Sequence, residues 1–180
     1  YYVHVLGKYG AKNANYSLTI NPPSTAAFNF QFQFVAGMNA SQVAAFQQAA
    51  NKWQSVIVGD VPNTIYTPAG GASVAVDDLL IDVAAFSIDG IGNILGGSAP
   101  DAFRAVSFLP THGRILFDSA DLAELEADGD LVSAALHELA HVLGFGSIWT
   151  DKGLLTGAGT ADPRFTGAQA LAAFNTLFGT

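Results

Sequence analysis

The chain has 180 residues and a mass of 18.7 kDa, which sets a prior of one ordinary domain, or one domain with a piece of another. Its formal charge is -8 and only 12% of its residues are charged, about half the usual ~25%. It therefore has no basic surface to neutralise nucleic-acid phosphates or anionic lipid. Cysteine is absent, which excludes disulfides, thiolate-bound zinc, iron–sulfur clusters and thiol catalysis, and no apolar run approaches the ~18 residues of a membrane span.

Half of the residues are hydrophobic, so burying a core is not the difficulty. The chain opens on Tyr1 rather than Met, without a secretory signal, and is expected to be a piece of a longer protein. Charge is uneven. Residues 1–59 hold Lys8, Lys12 and Lys52 and no acid, whereas residues 118–130 hold six acids and no base. That asymmetry predicts two differently built parts.

Residues 1–21 form two alternating, β-rich runs around a Gly/Asn-rich turn, a hairpin pattern, and Pro22-Pro23 follows as a stiff linker. A lone hairpin is marginal in water, so residues 1–24 are assigned to the end of a preceding β domain. They resemble the last strands of pre-peptidase β-sandwich domains beside secreted bacterial proteases. Residues 25–180 form the second unit. Phe28, Phe30, Phe32 and Phe34 alternate with polar residues, which predicts a half-buried strand. Asn39 or Ser41 can cap a helix over about 41–57, with Val43, Phe46, Ala50, Trp53 and Ile57 on one face. Residues 79–86 read as a strand, 88–100 as a Gly-rich loop, and 104–109 and 114–118 as short strands. A short helix is expected over 121–127. Asp130 then caps a helix over about 131–143, which Gly144 stops. Residues 145–162 read as loop, and Thr166 or Gly167 opens a last helix.

His137-Glu138-Leu139-Ala140-His141 carries the chemistry. Positions i and i+4 of a helix share one face, so both imidazoles can reach one ion. Two imidazoles suit zinc and leave room for a third ligand and a water. Glu138, beside the first ligand, is placed to act as general base toward a zinc-activated water. The competing reading is a solvated surface helix. Val132, Ala135, Leu136, Leu139, Ala140 and Leu143 make the helix apolar nearly all round, which predicts burial, and buried polar groups need partners.

The stretch 137–149, His-Glu-Leu-Ala-His-Val-Leu-Gly-Phe-Gly-Ser-Ile-Trp, resembles the active-site signature of leishmanolysin-type metallopeptidases of the metzincin clan. Gly144 matches the glycine at which the chain leaves the helix. Residues 113–122 and 162–171 extend the likeness, which covers roughly 28–180. The resemblance implies an α+β, metzincin-like (zincin) upper subdomain: a twisted mixed sheet, a backing helix and an active-site helix. It implies a secreted bacterial zinc metalloendopeptidase acting on protein or peptide substrates. His137 and His141 would be the zinc ligands and Glu138 the general base. A weaker likeness of 89–97 and Phe117-Asp118 to matrixins implies that Ile94, Leu95 and Gly96 lie on a substrate-binding edge strand, where an extended peptide adds through its backbone. From these residues alone an ordinary Gly-rich loop is an equal alternative. The positions matching the matrixin structural-zinc histidines are Gly97 and Leu116, so no second zinc is expected.

The metzincin pattern puts its third histidine where this chain has Ser147, and no residue after His141 is His or Glu. The Met-turn is also missing, since the single methionine is Met38. Two explanations stand. Either the third histidine and Met-turn lie beyond Thr180, in a missing C-terminal part, or Asp162 supplies an oxygen ligand, as in aspzincins. The residues around Asp162 favour the first.

Plainer readings apply elsewhere. His4 reads as a surface residue, and His112 reads first as a turn residue, with an approach to the metal or substrate as the alternative. The acids of 118–130, and Asp77, Asp78 and Asp82, offer the oxygens that calcium takes. They lack a full EF-hand spacing and read first as solvated groups near helix starts and turns. Two other functions stay open: a zinc-binding or inactive fragment lacking the third ligand, and an extracellular β-rich binding module.

Overall fold

A computed structural model describes residues 27–179. The expected hairpin and linker over 1–24, and His4 with them, lie outside the described residues.

The phenylalanine alternation builds β1 (Phe30–Ala36). Its aromatic face meets Phe46 of helix α1 (Ala40–Gln54), with Phe32 and Phe46 ring centroids 6.3 Å apart. Asn39 caps α1. Its side chain accepts from the Gln42 N–H while the Gln42 side chain accepts from the Asn39 N–H, a reciprocal capping box. Ile57, expected on the same helix, lies past its end. A short antiparallel pair, β2 (Thr64–Tyr66) and β3 (Val74–Val76), precedes β4 (Leu79–Phe86), where the predicted bounds hold.

Next come β5 (Gly96–Phe103) and β6 (Pro110–Asp118), which pair antiparallel. Two expectations are corrected here. Residues 96–100, read as loop, are strand. Residues 104–109, read as strand, are the turn joining β5 to β6, with Phe108 at φ 55°. β5 has the composition of a loop and is a strand because β6 supplies its ladder; a Cβ on Gly96 would sit 2.6 Å from the Leu116 carbonyl oxygen. The sheet order is β1-β4-β6-β5, with β1, β4 and β6 parallel and β5 the antiparallel edge.

Three helices follow: α2 (Leu122–Ala127), α3 (Leu131–Leu143) and α4 (Ala168–Phe178). A two-residue pair, β7 (Leu155–Thr156) with β8 (Arg164–Phe165), interrupts the segment expected to be loop before α4. The fold is thus α+β, with a mixed sheet and four helices among the described residues. Helices α1 and α3 pack on the face of the sheet formed by Leu79, Ile81, Val83, Ile115 and Phe117. Phe46 meets Phe117 edge-on at 5.7 Å.

Helix α3 departs from its expectation. Leu131, Ala135, Leu139 and Val142 are buried, but Ser133 and His137 are exposed. The helix is amphipathic rather than buried all round, so burial does not force partners on the motif. Asp130 takes the N-cap position without a side-chain capping bond, and Asp121 does the same at α2. Gly144 ends α3 in the left-handed region, at φ 113°.

Candidate metal centre and its surroundings

One turn of α3 separates His137 from His141, and their rings meet edge to face with centroids 4.6 Å apart. The two Nε2 atoms are 3.0 Å apart. His141 Nδ1 lies 2.8 Å from the carbonyl oxygen of Phe145. A carbonyl only accepts, so Nδ1 carries the proton and Nε2 of His141 presents a lone pair. Phe145 reaches this position because Gly144 and Gly146, both at positive φ, turn the chain back over the last turn of the helix. The Ser147 hydroxyl, at the position of the metzincin third histidine, donates to the His141 carbonyl oxygen at 2.6 Å.

The spacing of these two nitrogens is close to the spacing of two imidazole ligands on one zinc ion. Tetrahedral zinc with Zn–N of about 2.0–2.1 Å needs nitrogens roughly 3.3 Å apart, so the observed 3.0 Å must open by only a few tenths. A protonated Nδ1 bound to a carbonyl is also the usual outer support of a ligating imidazole.

Glu138 points toward the edge strand. Its Oε2 accepts from the Ser98 hydroxyl at 2.7 Å, and the same hydroxyl lies 2.8 Å from the Glu138 carbonyl oxygen. Ser98 pairs with Ile115 in the β5–β6 ladder, and Ile115 is on the helix-covered face, so the register aims Ser98 at α3. Gly113 permits the close approach: a Cβ there would lie 2.5 Å from Val142 Cγ1 of α3. No sequence motif marks Ser98. The alternation of Gly96, Ser98 and Pro100 was its one signal, hidden by a Gly-rich composition.

Of the edge-strand residues expected from the matrixin likeness, Gly96 opens β5, while Ile94 and Leu95 fall just before it and are exposed. The Leu95 carbonyl still accepts from the Asp118 N–H at 2.9 Å, which extends the ladder by one bond.

Asp162 is not brought to the two imidazoles. Its Oδ2 accepts from Arg164 Nε at 3.0 Å and Nη2 at 2.7 Å. Among the described residues, no cluster of three ligand side chains includes His137 and His141.

The acidic run is not simply solvated. Asp118 and Asp121 are buried. Asp118 accepts from the N–H groups of Ala120, Ile88, Asp89 and Gly90, and Asp121 from that of Gly92. The Ala120 and Asp89 N–H groups, with smaller help from Gly90 and Ile88, hold the Asp118 carboxyl down to about 2, against the upward push of burial. These two side chains fix the turn at 88–92 that leads into β5.

His112 is a buried strand residue rather than a turn residue. It hydrogen-bonds Asp101 through Nδ1, lies 3.3 Å from Asp82 through Nε2, and stacks on Tyr66 at 4.1 Å. It is on the opposite sheet face from α3, in register with Leu80. Asp60, Asp77 and Asp78 each place one carboxylate oxygen within 4.8 Å of the others. Asp78 there is raised by burial, with the charges of Asp60 and Asp77 adding to it, while the N–H groups of Asn29 and Val61 oppose the rise. Of this trio the sequence singled out Asp77 and Asp78 but missed Asp60, which is 17 residues from Asp77 along the chain.

None of the helices among the described residues is long and apolar enough to cross a membrane. No protein-family model matches the chain, and no curated protein matches it either.

Proposed function

We propose that this chain belongs to the catalytic part of a secreted zinc metalloendopeptidase. The observation that carries the reading is the pair of Nε2 atoms facing each other at 3.0 Å, next in sequence to a carboxylate turned toward the edge strand of the sheet among the described residues. His137 and His141 would hold the ion, with Phe145 fixing the His141 tautomer. Bound zinc would supply Lewis acidity and a water of lowered pKa. Glu138 takes a proton at its carboxylate and returns it to the leaving amine. The outer edge of β5, which no strand among the described residues covers, accepts an extended peptide as an added strand, with Gly96 at the start of that edge and Ile94 and Leu95 flanking it. The metzincin assignment, the missing C-terminal part as a partner, and export from a bacterium are parts of the same proposal.

A second reading has its own observation. Among the described residues no third ligand joins the two histidines, which favours a zinc-binding but non-catalytic module. Casein cleavage by the zinc-supplemented protein separates the two. Cleavage that disappears in Glu138→Gln supports the peptidase. Zinc binding without cleavage supports the module.

A further inference from the structure

The Ser98 hydroxyl is shared between two acceptors of one residue, the carboxylate and the carbonyl of Glu138, at 2.7 and 2.8 Å. A contact to the carbonyl alone would merely staple strand to helix. The additional contact to Oε2 fixes the rotamer of the carboxylate. Among the described residues no group donates to the other carboxylate oxygen. We propose that Ser98 is a positioning residue: it clamps Oε2 of Glu138 against the edge strand and leaves Oε1 as the proton acceptor. The inference rests on the peptidase reading and deepens it, because the clamp lies on the same strand that would receive substrate. A serine at this place ties the orientation of the base to the placement of β5.

Loss of a hydrogen bond that orients a charged group is expected to lower the rate it supports by roughly 10- to 100-fold. The test compares Ser98→Ala and Ser98→Thr in two measurements. The first is the side-chain carboxyl carbon resonance of Glu138 by NMR in metal-free protein. Ser98→Ala is expected to move it and Ser98→Thr, which keeps a hydroxyl, to leave it near the wild-type position. The second is casein-peptide turnover with zinc. Ser98→Ala is expected to lower kcat at least tenfold with KM within about twofold, and Ser98→Thr to recover most of it. An unmoved resonance in Ser98→Ala overturns the clamp. A moved resonance with unchanged kcat, or a loss of kcat that threonine does not rescue, reduces Ser98 to a structural contact. Absence of turnover in wild type overturns the peptidase reading and the positioning role with it, while the metal-free resonance reports the contact independently.

Discussion

Gly113→Ala probes the step that brings the motif helix to the edge strand. A Cβ at 113 would meet Val142 Cγ1 at 2.5 Å, the Ala99 carbonyl oxygen at 2.9 Å and Pro100 Cα at 3.1 Å. The first contact is a methyl of α3, which can shift. The other two are backbone of β5, which can yield only by moving the strand. Overpacking of this kind costs about 1–3 kcal/mol. The stiffer unfolded chain of an alanine variant returns about 0.4–1 kcal/mol, which leaves a net loss centred on about 1.3 kcal/mol. With a urea m-value of about 2 kcal/mol/M, the midpoint falls by roughly 0.6 M at unchanged m. Gly97→Ala is the control, since a Cβ there meets nothing within 4 Å, and it should stay within about 0.5 kcal/mol of wild type. Equal midpoints for Gly113→Ala and Gly97→Ala would refute the claim that α3 needs a glycine-width gap to reach β5.

Asp118 gives a pH signature. Its folded carboxyl lies at about 2, below the ordinary 3.8. Its contribution to stability is therefore complete above the unfolded value and is lost as pH falls through about 2. Thermal melts of Asp118→Asn between pH 2 and 6 should show a lower, flatter profile than wild type, and parallel profiles would count against the role of Asp118 in holding the turn at 88–92. Gly144→Ala should lower stability by more than about 1 kcal/mol in the same melts, because φ is +113° and a Cβ would meet Ile148 Cδ1 at 2.6 Å. A neutral result would mean that α3 can end without its glycine. Glu138→Gln should retain zinc and lose about 10²- to 10⁴-fold in peptide turnover, and undiminished turnover would remove Glu138 from the mechanism.

How far the sequence could be read follows from where each signal is stored. Asn39, the apolar run of β4, and Gly144 after Leu143 are local signals: β4 and α3 form where expected, and α1 starts where expected but ends at Gln54, before Ile57. The strand β5, Gly-Gly-Ser-Ala-Pro-Asp-Ala-Phe, has almost no β propensity of its own and exists through pairing with β6. Its role toward Glu138 was hidden for the same reason. Counting apolar residues on α3 overstated its burial, since an amphipathic helix with one polar stripe and many alanines has nearly the same composition as a buried one. His112 lay in a segment with Pro110 and Gly113, both loop-like letters. It is a buried strand residue because Asp82 and Asp101 come from the two neighbouring strands, a coincidence of register that no local pattern records. The pairing of His137 with His141 needed only the helical period, so the heart of the candidate site was legible.

Zinc stoichiometry is the most direct check on the two facing imidazoles. Metal-stripped protein would be dialysed against buffered zinc, and bound metal measured by elemental analysis for wild type, His137→Ala and His141→Ala. One zinc per chain in wild type, with at least tenfold weaker binding in either variant, is the expected result. Wild type that takes up no zinc, or histidine variants that bind it as tightly as wild type, would contradict the metal centre and the peptidase built on it.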